Sequence, residues 1–234
     1  MNEEAAFLRA ICESPDDDTP RLVFADWLDE QGGAVNAAWA AGIRAQIALA
    51  RGADDDALRF QTCVFESRYG LEKLADRLEL PAEVGDGWER GFPYRAAGPY
   101  SYLCDVWPGL ASRIPIRTLV VHELTESETE ELVTWPALRQ LRELDCAGVW
   151  DSPRADLVPI LAGSPNLRNL KVLRVYDALL NDANVSVLLA SPHLAGLETL
   201  QLGYEGATSL LSNDGRQRLT ARFGYHVFED AIPF

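Results

Sequence analysis

Two runs of three aspartates, Asp16–Asp18 and Asp54–Asp56, are the densest carboxylate clusters in the chain. A calcium loop needs oxygen ligands at alternating positions, a glycine at the turn and a distal bidentate glutamate, and neither run has that pattern. Each run precedes an apolar pattern of helical period, and the N-terminus of a helix favours negative charge. We therefore interpret both runs as helix-capping segments.

Thiol and imidazole side chains are the other groups that could bind a metal. They are Cys12, Cys63, Cys104, Cys146, His122, His193 and His226. A zinc site needs closely spaced ligand pairs, whereas these residues are isolated and form no C-x-x-C pair. The sequence predicts buried, reduced thiols, no metal and no cofactor.

Local signatures of catalysis are missing from the sequence. It contains no G-x-S-x-G, H-E-x-x-H, G-x-x-x-x-G-K or G-x-G-x-x-G pattern, the motifs that mark nucleophile, zinc and phosphate sites. We therefore predict that the protein is not an enzyme and has no catalytic residues. An enzyme with a site assembled from distant residues, in a pocket where the N-terminal and C-terminal parts meet, is the alternative.

The charge balance limits the kinds of molecule that the protein is expected to bind. The 36 acidic and 21 basic residues give a net charge of −15, which disfavours nucleic acid and anionic membrane surfaces as partners. The acidic start of the chain lacks the basic segment and apolar run of a signal peptide. No stretch approaches the roughly 18 apolar residues of a membrane span. We expect a cytoplasmic monomer.

Helical patterns fill the first 80 residues. Apolar residues recur at three- and four-residue spacing until Gly32 and Gly33 end the second helix. A third helix is predicted over about 34–51 and a fourth over about 54–80, interrupted near Gly70.

From residue 90 onward the sequence repeats. Leu119, Leu144, Leu173 and Leu200 are the central residues of four aligned segments and lie 25, 29 and 27 residues apart. Helical stretches and proline-marked returns such as Ser164-Pro165 separate these segments. Each unit is predicted to be a short strand, a helix and a return.

This period and the L-x-x-L-x-L spacing resemble leucine-rich repeats over about residues 90–230. The resemblance implies a solenoid with a parallel sheet, in which each unit buries its apolar face against its neighbours. Segments 91–97 and 223–228 are expected to add an opening and a closing strand. The position where the family carries Asn or Cys holds Leu124, Val149, Ala178 and Glu205 instead.

Residues 4–30 resemble the repeat-companion domain, an uncharacterised helical module of planctomycete bacteria that commonly precedes leucine-rich repeats. The resemblance singles out Arg21, Asp26 and Trp27 and continues more thinly through Arg44 and Gln46. Arg21 and Asp26 lie five residues apart, so we expect them to pair with other groups. We predict an arginine–carboxylate network between the first two helices with Trp27 in the core, and recognition by these residues is the alternative.

The predicted fold is α/β, with an N-terminal helical cap over residues 1–85 packed on a short leucine-rich-repeat-like solenoid over residues 86–234. Its parallel sheet should contain roughly four to six short strands. The residues between the inward leucines are predicted to face outward and to bind another protein. The candidate partner-binding residues are Val120, His122, Asp145, Arg174, Tyr176 and Gln201.

The charge distribution leaves a different function open. Residues 1–90 hold 19 acidic and 9 basic residues, and residues 91–234 hold 17 and 12. An inhibitor or immunity-type protein that neutralises a basic partner would use the acidic helical part.

Overall fold

A computed structural model describes residues 3–81, 84, 87–148, 156–176, 180–202 and 210–228. The chain forms two compact units. The first comprises Met1–Ala96 and Val106–Ile116, and the second comprises Ala97–Asp105 and Arg117–Phe234. No helix in the described part of the chain is both long enough and apolar enough to cross a membrane.

Helices make up most of the first unit. They are α1 (Glu3–Glu13), α2 (Thr19–Gln31), α3 (Ala34–Ala50), α4 (Asp56–Phe65), a π-helix (Glu66–Leu74) and α5 (Ala75–Arg77). Gly32, at φ 69°, ends α2 as predicted, because a residue without Cβ adopts this conformation readily. The interruption predicted near Gly70 lies within the π-helix.

An aromatic cluster forms the core of the first unit. Phe24 and Trp39 meet edge to face with ring centroids 5.0 Å apart, and Trp39 meets Phe92 at 5.5 Å. All three side chains are fully buried or nearly so, and such pairs add to the free energy gained from burying their area. The cluster joins α2 and α3 to the hairpin of β1 (Trp88–Glu89) and β2 (Phe92–Pro93).

Gly91 fixes this hairpin on α3. The Trp39 indole donates a 2.7 Å hydrogen bond to the Gly91 carbonyl, and the Gly91 amide donates to Gln46 Oε1. Gly91 has φ 85°, and a Cβ at this position would lie 2.1 Å from Ile43 Cγ1. Only glycine fits both the conformation and the space.

Strands and helices alternate in the rest of the chain. The strands are β3 (Arg95–Pro99), β4 (Thr118–Leu124), β5 (Glu143–Gly148), β6 (Val172–Tyr176) and β7 (Thr199–Leu202). The helices are α6 (Tyr100–Leu110), α7 (Glu126–Leu132), α8 (Leu157–Ala162), α9 (Asp182–Ala190) and α10 (Asn213–Phe223). The strands form one five-stranded sheet in the order β3-β4-β5-β6-β7.

The register of the sheet agrees with the alignment of the sequence repeats. Leu119 pairs with Leu144, Leu144 with Leu173 and Leu173 with Leu200 in parallel ladders from β4 to β7. These four leucines are fully buried or nearly so. The predicted α/β class with a parallel sheet is confirmed.

Serines at the proline-marked returns connect successive units. Ser164 Oγ donates 2.9 Å to the carbonyl of Val133 and accepts from the amide of Asn166. Ser191 Oγ donates to the carbonyl of Ala162 in the same way and accepts from the amide of His193. Each hydroxyl thus forms hydrogen bonds to a backbone carbonyl and a backbone amide, which would otherwise be buried without a partner.

The predicted closing strand at residues 223–228 is wrong. Phe223 is the last residue of α10, and Tyr225–Phe228 forms a 3-10 helix. Val227 is completely buried in that helix. An alternation of apolar and polar residues over six positions is too short to distinguish a strand from a 3-10 turn, and tertiary contacts decide the outcome.

Candidate functional site

A row of side chains crosses the sheet at the middle of its strands. Val120, Asp145, Arg174 and Gln201 occupy equivalent register positions on β4, β5, β6 and β7. Because side chains alternate along a strand, this row lies on the opposite face from the aligned leucines. The structure therefore brings together four of the six predicted partner-binding residues.

Arg174 connects the polar members of this row to one another and to Glu143, two residues before Asp145 on the same face of β5. Its Nη1 donates 2.9 Å to Asp145 Oδ1 and 3.3 Å to Glu143 Oε2, and its Nε donates 2.6 Å to Gln201 Oε1. Three neighbouring strands are thus tied through one guanidinium, whose planar fork of donors suits such a role. We call Glu143, Asp145, Arg174 and Gln201 the polar row.

Burial on this face differs from the prediction. Val120, Asp145 and Tyr176 were expected to face outward, but they are 1%, 4% and 6% exposed. Thr118, two residues before Val120 on the same face of β4, is also buried. The accessible part of the face consists of the half-buried residues His122, Glu143, Val172, Arg174, Thr199 and Gln201. Val149, Ala178 and Glu205, three of the positions where the resembled family carries Asn or Cys, lie outside the described residues.

Partial burial and neighbouring charges act on the ionisable groups of this face. Desolvation lowers the pKa of Arg174, but the hydrogen bonds and charges of Asp145 and Glu143 outweigh it and raise the pKa. Burial, helped by the charge of Asp145, raises the pKa of Tyr176 to about 12. At neutral pH Arg174 is therefore charged and Tyr176 neutral.

His122 lies at an irregularity of β4. The register with β5 shifts between Val121 and Leu124, and Glu123 has a positive φ of 60°. Such bulges change the direction of a side chain and are common beside functional sites. The conformation of Glu123 costs of order 1 kcal/mol, so the surrounding structure must hold it in place.

The start of the strands adds an exposed ion pair. Lys171 Nζ lies 2.6 Å from Glu198 Oε1, and these side chains are 42% and 68% exposed. The side chain of Glu143 is 38% exposed, and this residue pairs in register with Val172, which follows Lys171. On the accessible face itself, Glu143 and Arg174 supply charges of both signs, whereas a phosphate-binding surface carries mainly positive charge.

Arg21, Asp26 and Trp27 have separate roles in the helical unit. Buried Arg21 donates 3.1 Å to the carbonyl of Asp17, and its guanidinium lies 5.9 Å from the Phe92 ring centroid. Asp26 accepts from Arg44 at 2.6 Å, so it links α2 to α3 and not to α1. Asp26 therefore pairs with α3, whereas a contact with α1 was expected.

Trp27 contributes to the contact between α1 and α2. Its ring lies 5.6 Å from that of Phe7, and its indole donates 3.3 Å to Glu3 Oε2, both on α1. The side chain is half-buried and lies at the edge of the core. These contacts indicate a structural role for Trp27.

The aspartate runs lie at helix starts, as predicted. Asp55 caps α4 by accepting 2.7 Å from the amide of Ala57, and Asp17 accepts 2.8 Å from the amide of Thr19 at the start of α2. Among the described residues, no three His, Cys, Asp or Glu side chains are grouped to hold a metal.

Two features of the site were not found by sequence reasoning. Gln46 is buried and joins α3 to Glu66 and Gly91 through its amide, although only a thin resemblance pointed to it. A cleft on α10 was missed as well. Of the three arginines in this 11-residue helix, only Arg216 lines the cleft, so the sequence carried little signal for it.

Comparisons of this chain with protein-family models, with curated proteins and with solved structures find no match.

Proposed function

We propose that this protein is a non-catalytic recognition module that binds another protein through the accessible face of the sheet. The observation that carries the proposal is the polar row, in which Arg174 holds Glu143, Asp145 and Gln201 in fixed positions. Side chains ordered before binding lose less conformational entropy when a partner docks. A rigid sheet with an ordered polar surface is therefore suited to selective binding.

The chemistry of the face defines the partner. Glu143 and Arg174 supply charges of both signs, while half-buried Val172 and Thr199 offer small apolar contacts beside them. We infer a partner with a polar surface of mixed charge. We further propose that the repeating units are of the leucine-rich-repeat type and that residues 1–85 act as their N-terminal cap.

Neutralisation of a basic partner by the acidic helical unit has less support. Asp26 and Asp29 pair with Arg44, Glu4 pairs with Arg77, and Asp18 pairs with Arg51. Carboxylates engaged in this way are less available to mimic phosphate charge. Salt dependence of binding separates the two functions.

A test must avoid variants that damage the fold. Tyr176→Ala would remove a ring that is 6% exposed and cost roughly 3 kcal/mol of stability or more, so it does not report on binding. Val172→Arg places a large charged group on the accessible face without removing a buried partner. Val187→Arg, on the exposed side of α9, makes the same substitution away from that face.

The experiment uses tagged full-length wild type and these two variants in affinity purification from the source cells, quantified by mass spectrometry. We expect a protein that wild type and Val187→Arg retain equally and that Val172→Arg retains about tenfold less. Equal recovery by all three proteins contradicts binding through the sheet face. If Val172→Arg recovers the partner as well as wild type does, and this recovery falls steeply as the salt concentration rises, the acidic helical unit is the binding surface instead.

A further inference from the structure

Two consecutive returns of the sheet repeat the same pattern of basic residues. They read Pro136-Ala-Leu-Arg-Gln-Leu-Arg142 and Pro165-Asn-Leu-Arg-Asn-Leu-Lys171. The first leads from α7 to β5 and the second from α8 to β6. Together they hold four basic residues and no acidic one, in a chain whose net charge is −15. We call Arg139, Arg142, Arg168 and Lys171 the basic edge.

The next return, over residues 192–198, forms the same turn without these cations. It keeps the proline and both leucines but has Ala195 and Glu198 at the two basic positions. In all three returns the amide of the second leucine donates to the carbonyl of the first, over 3.0, 3.0 and 3.1 Å. The leucines are buried in each return. The fold of a return therefore does not require the basic residues, which leaves a role for them at the surface.

Hydrogen bonds between the two returns hold the basic edge in place. Asn166, which is 7% exposed, donates from Nδ2 to the Val133 carbonyl at 3.0 Å and accepts from Arg139 Nε at 2.9 Å. Asn169 Nδ2 donates 2.7 Å to the Arg139 carbonyl, and Arg142 Nη1 donates 2.7 Å to the Asn169 carbonyl. The two returns are thus joined through the residues that carry the charge.

The two asparagines accompany the cations. The third return has His193 and Gly196 at the equivalent positions, so the asparagines and the basic residues are present together in two returns and absent together from the third. A buried carboxamide that orients an exposed guanidinium reduces the conformational entropy that the guanidinium loses when a ligand binds. This arrangement is expected of a binding surface and adds nothing to the turn.

Two cations of the basic edge lack an acidic partner within the part of the chain that the structure describes. The guanidinium of Arg139 bonds there only to the neutral carboxamide of Asn166. Arg168 is exposed and makes no hydrogen bond or ion pair with any described residue. Both guanidinium groups therefore keep their charge, and the terminal nitrogens of both remain available to a ligand.

We propose that the basic edge binds an acidic segment of a partner protein, with neighbouring carboxylates on Arg139 and Arg168. A guanidinium binds a carboxylate through two parallel hydrogen bonds. Equivalent residues of successive units lie about 5 Å apart at the strands, and side chains two residues apart in an extended segment lie roughly 7 Å apart. Two flexible arginine side chains can span this difference.

A nucleic acid fits this surface less well. Its phosphates form a continuous line of charge that needs a long basic track. The basic edge covers only two returns, and Glu198 reverses the sign of the charge at the third. The net charge of −15 also repels a polyanion as large as a nucleic acid.

The test is an NMR titration of the ¹⁵N-labelled full-length chain at low salt with the acetylated and amidated peptide Glu-Ser-Glu-Ser-Glu-Ser. We expect chemical-shift changes centred on residues 136–142 and 165–171 and a Kd below about 1 mM. Arg168→Ala should weaken binding about fivefold, the upper range for an exposed ion pair. Arg139→Ala should have a similar effect, and the double variant should abolish measurable binding.

Alanine is the chosen substitution because Ala195 occupies the equivalent position of the third return, where the same turn forms. Arg9→Ala is the matched control. Arg9 is an exposed arginine on α1 that makes no hydrogen bond or ion pair with any described residue, so this variant makes the same change of charge elsewhere. It should change the Kd by less than about twofold, within the range of a distant exposed charge.

Four results would overturn the proposal. They are shift changes that are absent, scattered or centred on α10, an Arg9→Ala loss as large as that of Arg168→Ala, equal binding of a Lys-Ser-Lys-Ser-Lys-Ser peptide, and tighter, Arg168-dependent binding of a single-stranded oligonucleotide. The titration requires no partner on the accessible face of the sheet. Its failure would therefore leave the proposed function untouched.

Discussion

Arg174 and Asp145 lie on neighbouring parallel strands, and Arg174 Nη1 donates a 2.9 Å hydrogen bond to Asp145 Oδ1. The Asp145 side chain is 5% exposed and that of Arg174 is 27% exposed. This pair therefore joins the interior of the sheet face to its accessible surface. A buried carboxylate requires such a partner, because an isolated charge in the interior is costly.

Removal of this guanidinium should destabilise the protein. We expect Arg174→Leu to lower the free energy of unfolding by about 2–3 kcal/mol, less than for a fully buried pair because Arg174 is partly solvated. Urea denaturation measures the loss. Lys171→Leu removes a cation from the exposed pair with Glu198 and should cost less than about 1 kcal/mol. Equal losses would contradict a special role for the Arg174–Asp145 pair.

Because of Tyr176, on the same face, we expect the free energy of unfolding to depend on pH in the alkaline range. The pKa of Tyr176 in the folded protein is about 12, above the ordinary 10.0. The unfolded chain therefore loses this proton first, so the contribution is complete below about pH 10 and disappears as the pH rises to about 12. Urea denaturation across this range should show stability falling more steeply for wild type than for Tyr176→Phe. Parallel curves would contradict the prediction.

Substitution of Gly91 can separate two causes of lost stability, overlap with a neighbouring side chain and backbone strain. We expect Gly91→Ala to lower the free energy of unfolding by about 3 kcal/mol or more, because the new Cβ would overlap Ile43 in addition to the strain of positive φ. Gly52→Ala is the matched control, since Gly52 has φ 94° but nothing within 4 Å of a Cβ. That variant should lose only about 1 kcal/mol. Thermal or urea unfolding gives both values, and similar losses would rule out the packing explanation.

The thiols should differ in reactivity. Desolvation raises the pKa of Cys12 to about 12 and also raises the pKa of completely buried Cys146. Because the thiolate is the reactive form, Cys12 should react with iodoacetamide at pH 8 about 1000-fold more slowly than an ordinary thiol. Cys63, which was predicted to be buried but is exposed, should be modified first. Peptide mass spectrometry after timed alkylation measures the rates, with the unfolded protein in urea as the control. Modification of Cys12 as fast as Cys63 in the native protein would contradict the burial of Cys12.

Helix α7 begins with a capping box. Thr125 Oγ1 accepts from the amide of Glu128, and the Glu128 carboxylate accepts from the amide of Thr125. Thr125→Ala should therefore cost about 1 kcal/mol in the free energy of unfolding. Ser127→Ala removes a hydroxyl from an exposed position on the same helix and should change stability by less than about 0.5 kcal/mol. A Thr125→Ala loss no larger than this control would show that the cap is dispensable.

The sequence by itself determined the repeating architecture. The leucines at positions 119, 144, 173 and 200 predicted the strands and their register, because each unit must bury the same apolar side against its neighbours. The glycines at 32 and 33 predicted the end of α2, and the aspartate runs predicted helix starts. These features depend on local periodicity and capping, which the order of residues encodes directly.

The tertiary structure alone decided which side chains of the sheet face remain accessible. Alternation along a strand assigns side chains to opposite faces but does not state whether the second face is covered. The run Thr118-Leu-Val-Val121 gave a partial signal, since strands buried on both faces read as continuous apolar segments. Burial of Asp145 and Tyr176, and the joining of three strands by Arg174, depend on neighbours about 25–30 residues away. The same distant contacts made residues 225–228 a 3-10 helix instead of a strand, because Val227 gains its buried position only through the folded chain.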